Sequence, residues 1–156
     1  MPMKKFALIL AAFMCLTVLS YGQQYYKIKN RWKGTFLNVE HGSTMVTEIS
    51  PGWHSAMWEK ETLGGDIKFK NRWKNSYLIA NNKGEVSSET IEGKKFREIM
   101  QIVPQSIWII ERVEGTIYVR LKSKANGMYL NIEKGTLECS EIGPGAHSAM
   151  WEFILE

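Results

Sequence analysis

Residues 37–59 read LNVEHGSTMVTEISPGWHSAMWE, and residues 130–152 read LNIEKGTLECSEIGPGAHSAMWE. The two stretches match at a constant offset of 93 without a gap, and 14 of the 23 positions are identical. Two unrelated segments of one chain would not agree so closely over this length. The sequence therefore contains an internal repeat, and this repeat decides the fold.

A third copy lies between these two. Residues 26–32 (YKIKNRW) and 67–73 (IKFKNRW) match at an offset of 41. The copies contain equivalent leucines, Leu37, Leu78 and Leu130, and end in equivalent tryptophans, Trp58, Trp108 and Trp151. From leucine to tryptophan is 21 residues in the first and third copies but 30 in the second. The second copy therefore carries a nine-residue insertion, which we place within residues 87–105.

Within the copies, polar and apolar residues alternate over short stretches, which predicts β-strands. The alternation is clear in residues 26–30, 67–70 and 119–122, and glycine or asparagine turn signals follow each stretch. We expect about four short strands in each copy. Only residues 92–102, in the insertion, are compatible with a turn or two of helix.

One copy of about 40 residues cannot bury its apolar face alone, whereas three copies around a shared axis can close into a barrel capped by hairpins. We therefore predict an all-β protein, a β-trefoil with pseudo-threefold symmetry and about twelve strands. Its repeats span about residues 24–64, 65–114 and 115–156, and we call these the first, second and third repeats.

The N-terminal 22 residues read as a signal peptide outside this domain. Two lysines precede an apolar run over residues 6–19, and Ser20 and Gly22 are the small residues expected before a cleavage site. We place the cut between Gly22 and Gln23 and expect a secreted or periplasmic protein. The run is short for a membrane span, so membrane attachment would require this segment to stay uncleaved as an anchor.

Composition and charge narrow the function. Hydrophobic residues make up 44% of the 156-residue chain and aromatic residues 12%, which is typical of one globular domain. The formal net charge is +4, and loss of Lys4 and Lys5 with the signal segment lowers it to +2. Nucleic-acid binding would require a stronger basic bias. The densest basic cluster, residues 94–97, lies between two glutamates, and we interpret it as solvated.

The order of motifs points to a family. In the first repeat, YKIKN (26–30) is followed by GTFLNV (34–39), by Gly42 and by AMW (56–58). This order resembles the ricin-type β-trefoil lectin family, whose repeats have an alternating strand, Asn-x-x-x-Gly, aromatic-Leu-Asp-Val, Gly and Gln-x-Trp. The resemblance covers about residues 24–156. It implies a non-catalytic, cofactor-free carbohydrate-binding module.

Two departures affect the family's binding motif. The sugar-binding Asp is replaced by Asn38, Ile79 and Asn131, and the Gln of Gln-x-Trp by Ala56, Ser106 and Ala149. The tryptophan of that motif is retained in all three repeats. Since it recurs beside apolar neighbours, we expect it in the core. The residues that match the family are therefore structural, and those that differ carry affinity.

The first repeat holds the most complete predicted binding site. Its PGWHS stretch (51–55) presents Trp53 behind a Pro-Gly turn, where the third repeat has Ala146. An indole packs well on the C–H face of a sugar ring, and an Asn amide can both donate and accept hydrogen bonds. The predicted ligand-binding residues are Asn38, Trp53, His54, Ser55, Asn131, His147 and Trp32. The alternative is that the two His-Ser pairs only form turns.

Trp32 and Trp73 occupy NRWK loops of the first and second repeats, and Ala125 takes their place in the third. A core position shared by all repeats would not change from Trp to Ala, so we expect both indoles to be partly exposed. Stacking on a sugar and packing over a neighbouring hairpin remain alternatives.

Other functions find less support. One cysteine after cleavage, Cys139, and three scattered histidines do not form a zinc site, and no nucleophile or carboxylate pair is evident. Cys139 aligns with Val46, so we expect it in the core. The runner-up function is protein binding or inhibition through the 87–105 loop, which holds basic and apolar residues, Lys94, Lys95, Phe96, Arg97 and Met100.

Overall fold

A computed structural model describes residues 22–156, so the predicted signal segment lies outside the described residues except for Gly22. Twelve strands, one α-helix and two short 3-10 turns make up this part of the chain. The strands are β1 Tyr25–Asn30, β2 Phe36–Asn38, β3 Met45–Thr47, β4 Trp58–Leu63, β5 Asp66–Asn71, β6 Tyr77–Ala80, β7 Val86–Glu89, β8 Trp108–Arg112, β9 Val119–Ser123, β10 Tyr129–Asn131, β11 Glu138–Ser140 and β12 Trp151–Leu155. The 3-10 turns are His54–Ala56 and His147–Ala149, and the helix, α1, is Phe96–Gln105.

Six strands close a barrel. Antiparallel pairing runs from β1 to β4, β5, β8, β9 and β12 and returns from β12 to β1. The remaining six form three hairpins, β2–β3, β6–β7 and β10–β11, one in each repeat. This is the predicted β-trefoil with pseudo-threefold symmetry, and closure leaves the barrel strands without free edges.

The three repeat-ending tryptophans fill the core. Trp58, Trp108 and Trp151 are at most 1% exposed. Each indole N–H donates to the carbonyl of the equivalent leucine of its own repeat, Leu37, Leu78 or Leu130, at 2.9–3.0 Å. The core prediction is confirmed, and the hydrogen bond explains why a tryptophan with its one polar atom is retained there.

The insertion forms the helix. Glu98 accepts a hydrogen bond from the backbone N–H of Lys95 at 2.8 Å, which satisfies one of the free donors at the start of α1. Ile102 faces the core side and is 9% exposed, whereas Phe96 and Met100 are 78% and 57% exposed. A short helix in the insertion was expected within residues 92–102, and the helix observed there is shifted towards the C-terminus, at Phe96–Gln105. Within residues 22–156, no helix has the length and apolar character of a membrane span.

Cys139 is buried in the core cluster, as predicted. Burial raises the pKa of the thiol to about 12, and the neighbouring Glu138 adds to the shift. Because the thiolate is the reactive species, the folded chain beginning at Gln23 is expected to react with Ellman's reagent at pH 8 at least roughly a hundredfold more slowly than the urea-unfolded chain. Equal rates in the two states would contradict this placement.

Candidate functional site

A buried asparagine joins the first and second repeats. Asn71, at the end of β5, is fully buried, and its amide donates to the carbonyl of Ser55 at 2.8 Å. Its side-chain oxygen accepts from the backbone N–H groups of Trp73 and Lys74 at 3.0 and 3.1 Å. One side chain therefore shapes the NRWK loop and anchors it beside the 3-10 turn of the preceding repeat.

The opposite wall comes from the Pro-Gly turn of the first repeat. Gly52 has a φ of +81°, a conformation that favours glycine. The chain then enters the 3-10 turn, closed by the N–H of Met57 donating to the carbonyl of His54 at 3.1 Å. Trp53 and His54 both remain exposed, since they lie on the outer side of this turn.

These two loops form a cleft of about 290 Å³ between the first and second repeats. Its lining residues are Glu40, Gly52, Trp53, His54, Ser55 and Trp73. The indoles of Trp53 and Trp73 are 40% and 46% exposed. Two half-exposed indoles on one open surface are an unusual use of large apolar side chains, and they provide flat faces for a ligand.

The polar groups of the cleft are poised for hydrogen bonding. Ser55 is 2% exposed, and its hydroxyl has no hydrogen-bond partner among the described residues. The hydroxyl oxygen is itself buried, so the accessible polar side chains of the lining are those of Glu40 and His54. Glu40 provides a carboxylate, which accepts hydrogen bonds, and the N–H of Glu40 donates to Asn38 at 3.1 Å.

The two indoles differ in what already covers them. The ammonium of Lys74 lies 3.7 Å from the centroid of the Trp73 ring, a cation–π contact that occupies one face. Within residues 22–156 no such cation lies over Trp53. Trp53 is therefore the indole with the greater capacity for stacking.

Asn38 and Asn131 do not belong to this surface, which revises their predicted role in ligand binding. Both are fully buried. The Asn38 amide donates to the carbonyl of Phe36 and the hydroxyl of Thr47 at 3.0 and 2.8 Å. Asn131 repeats this pattern with the carbonyl of Tyr129 and the hydroxyl of Ser140. Since both donors of each amide are used to hold a hairpin, these residues are structural.

The junction of the third and first repeats has a related but incomplete arrangement. Asn30 donates to the carbonyl of Ser148 at 2.9 Å, as Asn71 does to Ser55, and this places Trp32 beside the third-repeat turn. Trp32 is 47% exposed and His147 is exposed. However, Ala146 stands in place of Trp53, and the hydroxyl of Ser148 donates to the carboxylate of Glu133. This half-site has one indole, and its serine is already bonded.

The junction of the second and third repeats has neither indole. Ala125 replaces the loop tryptophan, and Ile79, which takes the place of Asn38, is buried at 7% exposure. The helix α1 occupies the stretch that forms the Pro-Gly turn in the other repeats.

The two histidines at the turns lie in different repeats, and in residues 22–156 no three side chains are grouped as metal ligands.

Two residues of the cleft were missed by the sequence-based site prediction. Trp73 was expected to be exposed but was not assigned to the site of the first repeat, because the repeat junction is a property of the fold. Glu40 was not among the predicted ligand-binding residues. A signal was available in the sequence. This glutamate recurs as Glu133 in the third repeat, which also has a His-Ser pair, and is replaced by Asn81 in the second repeat, which has none.

Comparison with known proteins identifies the fold. A designed threefold-symmetric protein, ThreeFoil, matches with a TM-score of 0.69 and 20% identity over 83% of this chain and 97% of its own. SeviL, solved with asialo-GM1 saccharide, matches with a TM-score of 0.65 and 18% identity, covering 85% and 98%. A GlcNAcα1-4Gal-releasing endo-β-galactosidase from Clostridium perfringens matches with a TM-score of 0.70 and 22% identity, covering 85% of this chain but 32% of the enzyme.

No protein-family model matches the chain, and no curated protein matches it either. At these identities the structural matches establish the β-trefoil fold, which proteins of many functions share. The ricin-type resemblance seen in the sequence therefore remains a resemblance.

Proposed function

We propose that this protein is an exported, non-catalytic β-trefoil that binds a saccharide in the cleft between the first and second repeats. The observation that carries the proposal is the pairing of two half-exposed indoles with the Glu40 carboxylate around one opening. Aromatic faces pack against the C–H face of a sugar, and acceptor groups bond its hydroxyls.

In this proposal each side chain has a defined role. The sugar ring stacks on Trp53, and Trp73 contacts its edge or a second ring. The Glu40 carboxylate accepts hydrogen bonds from vicinal hydroxyls of the sugar. Hydrogen bonds to a charged acceptor are stronger than those to a neutral one. The exposed His54 imidazole completes the polar contacts. The saccharide bound to SeviL supports this class of ligand for the fold.

The cleft suits binding better than hydrolysis. Glycosidases usually place two carboxylates across the scissile bond, whereas Glu40 is the one carboxylate among the lining residues. The open shape also leaves water free to enter, which does not favour chemistry that depends on a dry site. We propose binding without catalysis, and export through the signal segment would present the cleft to extracellular or periplasmic glycans.

Replacing Trp53 by alanine tests the site. We expect saccharide affinity to fall at least about fivefold, because a stacking face and its buried area are lost. Binding is measured by intrinsic fluorescence and calorimetry against a panel of neutral oligosaccharides. Trp32→Ala is the matched control, since Trp32 is equally exposed but belongs to the incomplete half-site. Equal losses in both variants, or none in Trp53→Ala, would contradict the assignment.

The reverse substitution strengthens the test. Ala146→Trp places an indole beside Trp32, and we expect a second, weaker site to appear in the stoichiometry. This site should be weaker because the Glu133 carboxylate already accepts a hydrogen bond from the Ser148 hydroxyl. A stoichiometry unchanged by Ala146→Trp at saturating ligand would show that the indole pair is not sufficient.

A second candidate is protein binding through α1. The observation that favours it is the exposed pair Phe96 and Met100, which lie four residues apart and so on one face of the helix. The two functions separate experimentally. If Phe96→Ser with Met100→Ser removes a protein partner and leaves saccharide binding intact, the helix has its own role. If the protein shows no saccharide binding at all, this candidate replaces the first.

A further inference from the structure

A second cleft lies in the hairpin cap, between the first and third repeats. Its volume is about 510 Å³, and it shares no lining residue with the Trp53 cleft. One side is β3, and the other is the turn at residues 135–137 of the β10–β11 hairpin. Lys33 and Thr35, from the loop that precedes β2, complete the rim. This volume lies within the range of about 300–1,000 Å³ typical of small-molecule sites.

The hairpin cap departs from exact threefold symmetry. At the junction of the second and third repeats, the N–H of Cys139 donates to the carbonyl of Gly84 at 2.8 Å, and a bridge joins Glu85 to Glu138. The residues equivalent to Cys139 and Gly84 are Val46 and Gly135. Within residues 22–156 no backbone hydrogen bond joins that second pair. Backbone hydrogen bonds therefore join the hairpins at the junction of the second and third repeats but not at the junction of the third and first, where the cleft lies.

The lining is amphipathic and carries one charge. Val46 and Leu137 pack on the core, Ile132 is buried, and together they give the cleft an alkyl surface. Threonines make up much of the remainder, and of these Thr35 and Thr136 lie at the rim. Among the lining residues, Lys33 alone has an ionisable side chain. Its ammonium lies 4.1 Å from the centroid of the Trp32 ring.

We propose that this cleft binds a small amphipathic carboxylate, such as a medium-chain alkanoate. The alkyl chain lies on the apolar surface, where burial of CH₂ groups is favourable. The carboxylate pairs with the Lys33 ammonium and accepts hydrogen bonds from threonine hydroxyls at the rim. The lining contains no aromatic ring, so it lacks the stacking surface of the Trp53 cleft and does not suit a sugar in the same way.

Titration with sodium octanoate, followed by protein NMR chemical shifts, tests the charge requirement. We expect saturable chemical-shift changes at Thr44, Val46 and Leu137. Lys33→Gln should weaken octanoate binding about two- to fivefold, because an exposed ion pair contributes little to affinity. The uncharged 1-octanol should be unaffected by this change. Lys74→Gln is the matched control, because Lys74 has the same position over Trp73 in the second repeat. Weakening of octanoate by Lys74→Gln to the same extent would overturn the role of Lys33.

A steric variant tests the location. Thr136→Trp fills the opening from an exposed turn residue, and octanoate affinity should fall at least about tenfold because its space is taken. Ser43→Trp, at the equivalent turn of the first repeat, should leave binding unchanged. Trp53→Ala should also have no effect, since this site is independent of the saccharide cleft. The proposal is overturned if octanoate gives no saturable shifts, or if neither Lys33→Gln nor Thr136→Trp weakens its binding.

Discussion

Replacing Trp151 by alanine is expected to lower the free energy of unfolding by about 3–5 kcal/mol. The indole is fully buried in the core cluster, and its N–H donates to the carbonyl of Leu130 at 3.0 Å. The substitution removes the largest core side chain of the third repeat and leaves a cavity at the centre of the barrel. Typical domains have a total stability of only about 5–15 kcal/mol, so much of the folded state would be lost.

Urea unfolding measures this effect, and two variants separate its parts. Trp151→Phe keeps most of the volume but leaves the Leu130 carbonyl without its donor, which should cost about 1–3 kcal/mol. Trp32→Ala removes an exposed indole and should stay within about 0.5 kcal/mol of the parent. A loss for Trp151→Ala as small as that for Trp32→Ala would contradict the threefold core.

Gly84→Ala should produce the second large loss of stability. Gly84 has a φ of +86°, and a Cβ added there would lie 2.1 Å from the carbonyl oxygen of Cys139. The neighbour is backbone and cannot rotate away, so the second and third hairpins would have to separate and lose the Cys139–Gly84 hydrogen bond. We expect a cost of at least about 3 kcal/mol, from left-handed strain together with this clash.

The other two repeats supply matched controls for this substitution. Gly42 and Gly135 are the equivalent glycines, with φ values of +81° and +85°, and an added Cβ meets nothing within 4 Å. Gly42→Ala and Gly135→Ala should therefore cost only the backbone strain, about 1–2 kcal/mol. The difference between Gly84→Ala and Gly135→Ala isolates the close contact of the hairpins. Three equal losses would mean that this contact contributes nothing to stability.

Sequence reasoning worked best where a residue's role repeats. The three tryptophans, the leucines that pair with them and the alternating strands all recur at fixed offsets, and each lies where threefold packing places it. Cys139 was placed correctly because Val46 occupies its equivalent position. A short helix was also expected in the insertion, within residues 92–102, and the structure places it at Phe96–Gln105.

Two of the predicted ligand-binding residues are buried, for a physical reason. Asn38 and Asn131 replace a ligand-binding Asp of the resembled family, so they were expected to bond a sugar. Their amides instead bond Thr47 and Ser140 inside the hairpins, at 2.8 Å in both cases. A sequence shows that a residue type can bond a hydroxyl, but burial decides whether that hydroxyl belongs to a ligand or to the protein.

The sequence by itself determined the number of repeats, the β-trefoil fold and the identity of the core tryptophans, because core positions must satisfy the same packing in every repeat. Only the tertiary structure decided which surface residues meet. Trp53 belongs to the first repeat and Trp73 to the second. They line one cleft because the Asn71 amide of the second repeat donates to the Ser55 carbonyl of the first. The hairpin cap is a second example. Backbone hydrogen bonds close the junction of the second and third repeats, whereas the junction of the third and first repeats holds a cleft. Contacts between repeats depend on distances across the barrel, which a linear pattern does not contain.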